Sequence, residues 1–186
     1  GIHKPFMCNG ANLCYRKNIF FEVGGFEDNT NIASGDDIFL LEKMAKAYPN
    51  KVNFLKSKDV IVETKAEISL NLFINQQVRW ASKSTSYKSF FAQFVGLLVF
   101  LENVSVIVLG ITTLLFPELW QYFLLIFMLK VLADFVLIAQ TSIFLKSTKS
   151  LKFYPAVSLI YPFFIVFTVI LSAFKTYNWK GRSFKK

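Results

Sequence analysis

The sequence is poor in the residues that build metal centres and disulfide frameworks. It contains 1 His and 2 Cys among 186 residues. Cys8 and Cys14 form no C-x-x-C pair and have no histidine at metal-ligand spacing. These absences argue against a zinc site and against a disulfide scaffold, so we expect no metal ligands here and two reduced thiols.

The amino terminus also lacks the features of a secretory signal. Residues 1–6 contain neither an initiator Met nor an apolar stretch. We therefore expect the chain to be part of a longer protein.

Charge and hydrophobicity divide the chain into two halves. The net charge is +9, and 54% of the residues are hydrophobic. Residues 1–88 carry 12 basic and 9 acidic groups, whereas residues 89–186 carry 9 basic and 3 acidic groups. A basic chain can bind nucleic acid, but the basic residues of the second half flank apolar segments, which is typical of membrane proteins. We expect a membrane partner and no nucleic acid.

Long apolar segments that could each span a bilayer occupy residues 90–116, 119–145 and 153–174. A bilayer core of about 30 Å needs about 20 helical residues, so each segment is long enough to span. The second segment contains Lys130 and Asp134, which are spaced to neutralise each other on one helix face. A local ion pair and an intramembrane polar site are both compatible with this spacing.

Residues 1–88 have the mixed pattern of an α/β segment. Helices are predicted over 18–26, 38–48 and about 67–88, and strands over 52–55 and 60–64. The first helix should end at Gly24–Gly25, where a positive φ costs glycine little. Asp36 or Ser34 is expected to cap the second helix. The predicted fold class is thus an α/β piece over 1–88, followed over 89–186 by about three membrane-embedded helices and a basic tail.

Two adjacent carboxylates, Asp36 and Asp37, stand at the start of the second predicted helix. The helix dipole favours negative charge at this end. Adjacent residues point about 100° apart on a helix, so the two acids need not share a role. One can cap the helix while the other serves as a general base. A cap beside a solvated acid is the purely structural alternative.

A second group of functional side chains lies along the third predicted helix. Gln76, Arg79, Trp80 and Lys83 follow the spacing i, i+3, i+4 and i+7, which places them on one stripe. A guanidinium and an ammonium one turn apart suit a diphosphate. An indole suits the apolar face of a sugar ring or the membrane interface. The alternative is an interfacial helix whose Trp and basic residues anchor the following span.

Together the two groups resemble the carboxyl-terminal half of family-two glycosyltransferases. In that family a motif of the form Glu/Asp-Asp-x-x-Leu is followed by Q-x-x-R-W on an interfacial helix and then by membrane spans. Residues 36–40 fit the first motif and residues 76–80 fit the second. Residues 8–12 and 21–26 are similar to the family's acceptor-side loop and the segment after it. The tail at 179–184 is similar to the endings of ceramide- and hopanoid-type glucosyltransferases.

The resemblance implies a GT-A-type nucleotide-diphospho-sugar transferase domain on the cytoplasmic face of the cell membrane. It implies inverting transfer of a sugar from a nucleotide-sugar donor to a lipid or polysaccharide acceptor. Asp37 would be the catalytic base, and Asp36 would orient rather than react, as part of the group that binds the donor diphosphate and the acceptor. Arg79 with Gln76 would bind the donor diphosphate, and Trp80 would line the acceptor site.

Family members also carry a nucleotide-binding half with an Asp-x-Asp motif that holds a divalent metal, Mg or Mn. No Asp-x-Asp occurs in this sequence. We therefore expect the metal ligands to lie outside this chain, and the chain alone to be inactive. Other hypotheses are a non-enzymatic membrane protein with a small cytoplasmic partner-binding domain, and a transporter subunit that uses Lys130 and Asp134.

Overall fold

The computed structural model describes residues 5–27, 35–84, 89–174, 177–179 and 182–184. The α-helices are α1 (Lys17–Glu22), α2 (Asp36–Ala47), α3 (Leu70–Ser84), α4 (Phe90–Leu115), α5 (Trp120–Phe144) and α6 (Tyr154–Phe174). Short 3₁₀ helices cover Gly10–Asn12, Lys58–Val60, Pro117–Leu119 and Thr148–Phe153. The strands described are β1 (Tyr177–Trp179) and β2 (Arg182–Phe184), which pair antiparallel.

The predicted α/β GT-A-type domain is wrong. Among the described residues before α4 there is no strand, and the runs at 52–55 and 60–64 are irregular chain around a 3₁₀ turn. Ser57 starts this turn by accepting a hydrogen bond from the Asp59 amide. A β-propensity run becomes a strand only when a neighbouring strand completes its ladder. The described chain supplies no such neighbour here, so propensity alone was misleading.

The contacts divide the chain into two compact units, Gly1–Gly96 with Leu171–Lys186, and Leu97–Ile170. The predicted domain boundary between residues 88 and 89 stays a prediction.

In the first unit, α2 carries most of the buried apolar surface. Its buried apolar side chains are Ile38, Phe39, Leu40, Leu41 and Met44. Val78 of α3 is only 1% exposed. Each such side chain contributes about 1.5–3 kcal/mol when it leaves water. Glu42 of α2 accepts a hydrogen bond from the Ser89 amide at 2.9 Å, which ties α2 to the start of α4.

The start of α2 is set by Gly35, which occupies the N-cap position with φ 97° and makes no side-chain cap. Asp36 is the first helical residue, so its predicted role as the cap is wrong, and Ser34 lies outside the described residues. Few residues other than glycine adopt such a positive φ without strain. α1 ends at Glu22, before the predicted end at Gly24–Gly25, and both glycines have the predicted positive φ.

The three long helices follow the predicted apolar segments closely. The ranges Phe90–Leu115, Pro117–Phe144 and Thr148–Phe174 are long and apolar enough to cross a membrane, each with a mean hydropathy of 2.3. Many large apolar side chains on these helices are exposed, including Leu114, Leu137 and Phe163. Such surfaces are unfavourable in water but match hydrocarbon. The prediction of three membrane-capable helices is therefore confirmed.

Within the second unit, α5 carries the predicted ion pair. The Lys130 ammonium donates to the Asp134 carboxylate one turn along the helix. It also lies 5.4 Å from the ring centroid of Tyr161 on α6. The Tyr154 hydroxyl donates to the Val131 carbonyl, which joins α6 to α5 at a second point. A buried lysine is thus compensated by a carboxylate and an aromatic face.

The Gly35→Ala substitution is expected to lower the free energy of unfolding by about 1–3 kcal/mol. Alanine disfavours φ +97°, and its Cβ would lie 3.2 Å from Lys83 Cδ. Thermal unfolding of the detergent-solubilised protein measures the effect. Gly96→Ala is the matched control, because a Cβ there meets nothing within 4 Å. A melting temperature equally high in both variants would contradict the assigned conformation of Gly35.

The Lys130→Met substitution is expected to destabilise the protein by about 2–4 kcal/mol, because it leaves the Asp134 carboxylate without its partner at membrane depth. The double variant Lys130→Met/Asp134→Leu should recover most of this loss. Thermal unfolding in detergent provides the measurement, with the exposed Lys149→Met as control. A double variant no more stable than the single one would show that the pair does not act as a unit.

Candidate active site

The carboxylate of Asp37 is held from two sides near the start of α2. Its Oδ2 accepts a hydrogen bond from the Gly10 amide at 2.8 Å, and its Oδ1 accepts one from the Ile38 amide at 2.9 Å. The side chain is half-buried, whereas that of Asp36 is exposed. The two adjacent acids therefore differ in surroundings, as the helix geometry predicted. Asp37 is oriented by backbone donors and Asp36 faces solvent.

The loop that supplies Gly10 is itself ordered by side chains. Asn9 accepts a hydrogen bond from the Ala11 amide at 3.0 Å and starts the 3₁₀ turn Gly10–Asn12. Asn12 donates its amide to the Val60 carbonyl at 2.8 Å. These bonds fix the backbone that contacts Asp37, although the loop is distant from Asp37 in sequence.

Cys8, in the same loop, responds to the charge of Asp37. Burial, followed by the nearby Asp37 carboxylate, raises the pKa of the Cys8 thiol to about 12. A thiol in this state is protonated at neutral pH and is a poor nucleophile. Cys8 therefore forms part of the wall near Asp37 and is not a reactive group.

On α3, Lys83 is the residue that approaches α2. It is only 5% exposed, and its Cδ would lie 3.2 Å from a Cβ built on Gly35. Burial and then the charge of Arg79 lower the pKa of Lys83 to about 8, and the carboxylates of Asp37 and Asp36 partly oppose this shift. Lys83 is thus repelled by a cation of its own helix and attracted by the two acids at the start of α2.

The predicted stripe on α3 divides into two parts. The charges of Arg79, Asp37 and Asp36 all act on Lys83. The Gln76 amide instead donates to the Glu67 carboxylate at 3.0 Å. Trp80 is 48% exposed, so its indole faces outward. The structure therefore connects Lys83 with Arg79, Asp36 and Asp37 through their charges, whereas the described contact of Gln76 leads to the loop before α3.

Sequence reasoning did not assign Gly10 or Cys8 to the site, and it placed Lys83 on the stripe suited to a diphosphate without its contact to α2. The similarity of residues 8–12 to an acceptor-side loop was the available signal for the first two. Lys83 was visible as a member of the stripe, but nothing in the sequence indicated that it would be buried against Gly35.

The described residues contain no group of three or more His, Cys, Asp or Glu that could hold a metal ion. They therefore do not provide the ligand set that the resemblance would require, and no chemical step is derived through a metal. The expectation that a divalent metal binds elsewhere in a longer enzyme stays a prediction.

Comparison with known proteins identifies a family for the chain. The family described as glycosyl transferase family 21 matches residues 5–185. Searches of curated proteins and of solved structures find no match. The general prediction of a glycosyltransferase is confirmed, while the assignment to family two and the Q-x-x-R-W motif stay predictions. Because the matched region covers nearly the whole chain, the chain belongs to glycosyl transferase family 21.

Proposed function

We propose that the site on α2 and α3 performs inverting transfer of a sugar from a nucleotide-diphosphate donor to a hydroxyl group of a lipid or polysaccharide. The observation that supports this most directly is the half-buried Asp37 carboxylate, which is fixed by the Gly10 amide and whose charge acts on Lys83 of α3. A glycosyl transfer needs a base for the acceptor hydroxyl and positive charge for the leaving phosphate.

In the proposed reaction Asp37 is the base. The acceptor oxygen attacks the anomeric carbon and gives its proton to the Asp37 carboxylate, while the bond from that carbon to the diphosphate oxygen breaks. The electron pair of the broken bond stays on the diphosphate. Attack opposite the leaving group inverts the anomeric configuration. The exposed Asp36 carboxylate does not react and helps to orient the bound donor and acceptor.

Arg79 is the proposed partner of the diphosphate. Its guanidinium can bind two phosphate oxygens at once and stabilise the charge that grows on them as the sugar leaves. We expected Gln76 to help bind the donor diphosphate, but in the structure its side-chain amide donates a hydrogen bond to the Glu67 carboxylate. Gln76 would contribute to diphosphate binding only after release of this hydrogen bond.

The proposed acceptor side lies around Trp80. Its indole is partly exposed on the helix that precedes α4, and an indole can pack on a sugar ring or sit at the level of lipid headgroups. Because nucleotide sugars are cytoplasmic, the first unit would face the cytoplasm at the cell membrane. Binding of a divalent metal by a longer enzyme belongs to the same proposal.

The Asp37→Asn substitution should lower kcat by at least about 100-fold, because it removes the base but leaves an oxygen that can accept one of the two amide hydrogen bonds. The assay follows radiolabel from nucleotide sugars into lipid and polysaccharide fractions of membranes containing the full-length protein. Asp59→Asn, at an exposed acid, is the control, and Asp36→Asn should have a smaller effect. Unchanged transfer by Asp37→Asn, with normal membrane insertion, would remove Asp37 from the base position.

The Arg79→Gln substitution should lower kcat by about 10²–10³-fold through loss of charge stabilisation on the leaving diphosphate. Arg79→Lys should recover only part of this activity, because an ammonium lacks the bidentate geometry of a guanidinium. Steady-state kinetics with varied donor concentration provide the measurement. Arg16→Gln, at an exposed arginine of the same unit, should behave as wild type. Full activity in Arg79→Gln would place the diphosphate elsewhere.

A further inference from the structure

The carboxyl-terminal segment of the chain returns to the helix that carries the candidate diphosphate partner. β1 follows α6 in the sequence and contacts α3, the helix of Arg79 and Trp80. Both elements belong to the first compact unit, which combines Gly1–Gly96 with Leu171–Lys186. Because α4, α5 and α6 lie between them in the sequence, this contact is a tertiary one. The strand pair β1–β2 is therefore placed beside the candidate site.

This contact restricts how the chain passes the membrane. α3 precedes the three membrane-capable helices and β1 follows them. Two segments that touch outside the bilayer lie on the same side of it, so an even number of complete crossings separates them. The basic residues after α6 favour the cytoplasmic side. This is the side on which the proposed function places the first unit.

The strand pair β1–β2 has two chemically different faces. Its antiparallel register pairs Tyr177 with Phe184, Asn178 with Ser183 and Trp179 with Arg182. Directly paired residues share a face, and successive residues of a strand alternate between faces. One face of the strand pair therefore combines Arg182 with three aromatic residues, and the other face carries an amide and a hydroxyl.

The two segments in contact carry charge of one sign only. The range of α3, Leu70–Ser84, contains two basic residues and no acidic residue. Residues 175–186 contain no acidic residue either, and their basic residues are Lys175, Lys180, Arg182, Lys185 and Lys186. The acids of α2 act on Lys83 of α3, whereas the carboxyl-terminal segment has no acid of its own. Like charges brought together repel, so this contact favours the binding of an anion.

Phosphate is the anion that suits Arg182 best. The planar guanidinium donates two parallel hydrogen bonds to phosphate oxygens. A nucleotide-sugar diphosphate and the headgroup of an anionic lipid both present such oxygens. The contact of β1 with α3 favours the donor as the source, because Arg79 of α3 is the proposed partner of its diphosphate. Arg182 would add its charge whatever side-chain contacts Arg79 makes.

We propose that the strand pair β1–β2 forms one phosphate-binding surface with α3, in which Arg182 binds the diphosphate of the nucleotide-sugar donor. Arg182 binds through charge and hydrogen bonds and takes part in no covalent or proton-transfer step. The inference rests on the proposed function, because it takes the diphosphate to be the leaving group of that reaction. It extends the site from α2, α3 and the loop of Gly10 to the strands after α6.

Direct binding of a diphosphate tests this surface. Inorganic pyrophosphate is titrated calorimetrically into the full-length protein in nanodiscs of phosphatidylcholine, a lipid without net charge. Arg182→Gln should weaken pyrophosphate binding by about tenfold, as expected for the loss of a charge-assisted hydrogen bond. Arg182→Lys should keep part of the affinity, because an ammonium lacks the bidentate geometry. Wild-type affinity in Arg182→Gln would overturn the proposal.

The matched control for this titration is Arg16→Gln. Arg16 is an exposed arginine of the same unit, so its substitution removes the same charge at another place. Arg16→Gln should bind pyrophosphate as wild type does. Equal weakening in Arg16→Gln and Arg182→Gln would show that only the net charge of the protein matters, which would also contradict a specific site at Arg182.

Steady-state kinetics separate a binding role from a structural one. Arg182→Gln should raise the donor KM by about tenfold and leave the acceptor KM within about twofold, because the lost contact is made to the donor only. Arg182→Lys should recover part of the donor KM. A strand pair that only stabilises the fold would instead lower kcat together with the melting temperature, without a selective change in donor KM. That pattern would contradict the proposed role of Arg182.

Retention of anionic lipid distinguishes the donor from a lipid headgroup. Wild type and Arg182→Gln are purified from membranes that contain phosphatidylglycerol, and the lipid bound to each is measured by mass spectrometry. If Arg182 binds the donor, both proteins should retain the same amount of phosphatidylglycerol. Loss of this lipid in Arg182→Gln, with unchanged pyrophosphate affinity, would assign the surface to lipid headgroups and overturn the proposal.

Membrane sidedness tests the contact between β1 and α3 without reference to activity. Ser183→Cys reports on β2, and Asn71→Cys reports on an exposed position of α3. Each is introduced into a protein whose other cysteines are replaced by serine, and sealed vesicles are treated with a membrane-impermeant maleimide. Both thiols should react from the same side of the membrane. Reaction from opposite sides would exclude the contact and the shared surface with it.

Failure of this inference and failure of the proposed function can be told apart. If Asp37→Asn transfers sugar normally, the assigned base is wrong, whatever the pyrophosphate affinity of Arg182→Gln. If Asp37→Asn is inactive while Arg182→Gln keeps wild-type pyrophosphate affinity and donor KM, the proposed function stands and the phosphate-binding role of Arg182 fails.

Discussion

The candidate site depends on the close approach of α3 to the backbone at the start of α2. Gly35 has no Cβ, and its positive φ begins the helix at a point where the Lys83 side chain passes directly over it. A Cβ at this position would lie 3.2 Å from Lys83 Cδ, so that side chain would have to shift, and a residue other than glycine would be strained at φ 97°. The position of Asp37, two residues further along, follows from the same start of the helix. A single glycine therefore sets both the approach of Lys83 and the start of the helix that carries Asp37.

Local signals in the sequence were sufficient to predict where the helices form. The glycine pair after α1, the apolar periodicity of α2 and the long apolar runs of α4 to α6 each act within a few turns of chain, so they can be recognised without the fold. The runs at 52–55 and 60–64 failed because a strand is stabilised by a partner that may lie anywhere in the sequence. The same limitation explains why the GT-A-type fold, inferred from motifs and not from pairing, was wrong.

In the candidate site too, features set by neighbouring residues were predictable, whereas contacts between segments far apart in the sequence were not. The chemical types and order of Asp36, Asp37 and Arg79 were readable from the sequence, because motifs are local. The hydrogen bond from Gly10 to Asp37 and the burial of Lys83 against Gly35 join segments separated by long stretches of chain. Side-chain spacing on a helix defines a stripe but not which part of it becomes buried. For this reason the stripe on α3 was predicted as one surface, although the structure divides it.

Lys83 and Lys130 are both buried, but the opposite charge that compensates each ammonium comes from a different part of the chain. Lys130 finds its carboxylate one turn away on the same helix, so its burial is compensated before any tertiary contact forms. Lys83 has a like charge one turn before it, and the carboxylates whose charges act on it, Asp36 and Asp37, belong to another helix. Its burial is therefore compensated by these carboxylates only after α2 and α3 have come together.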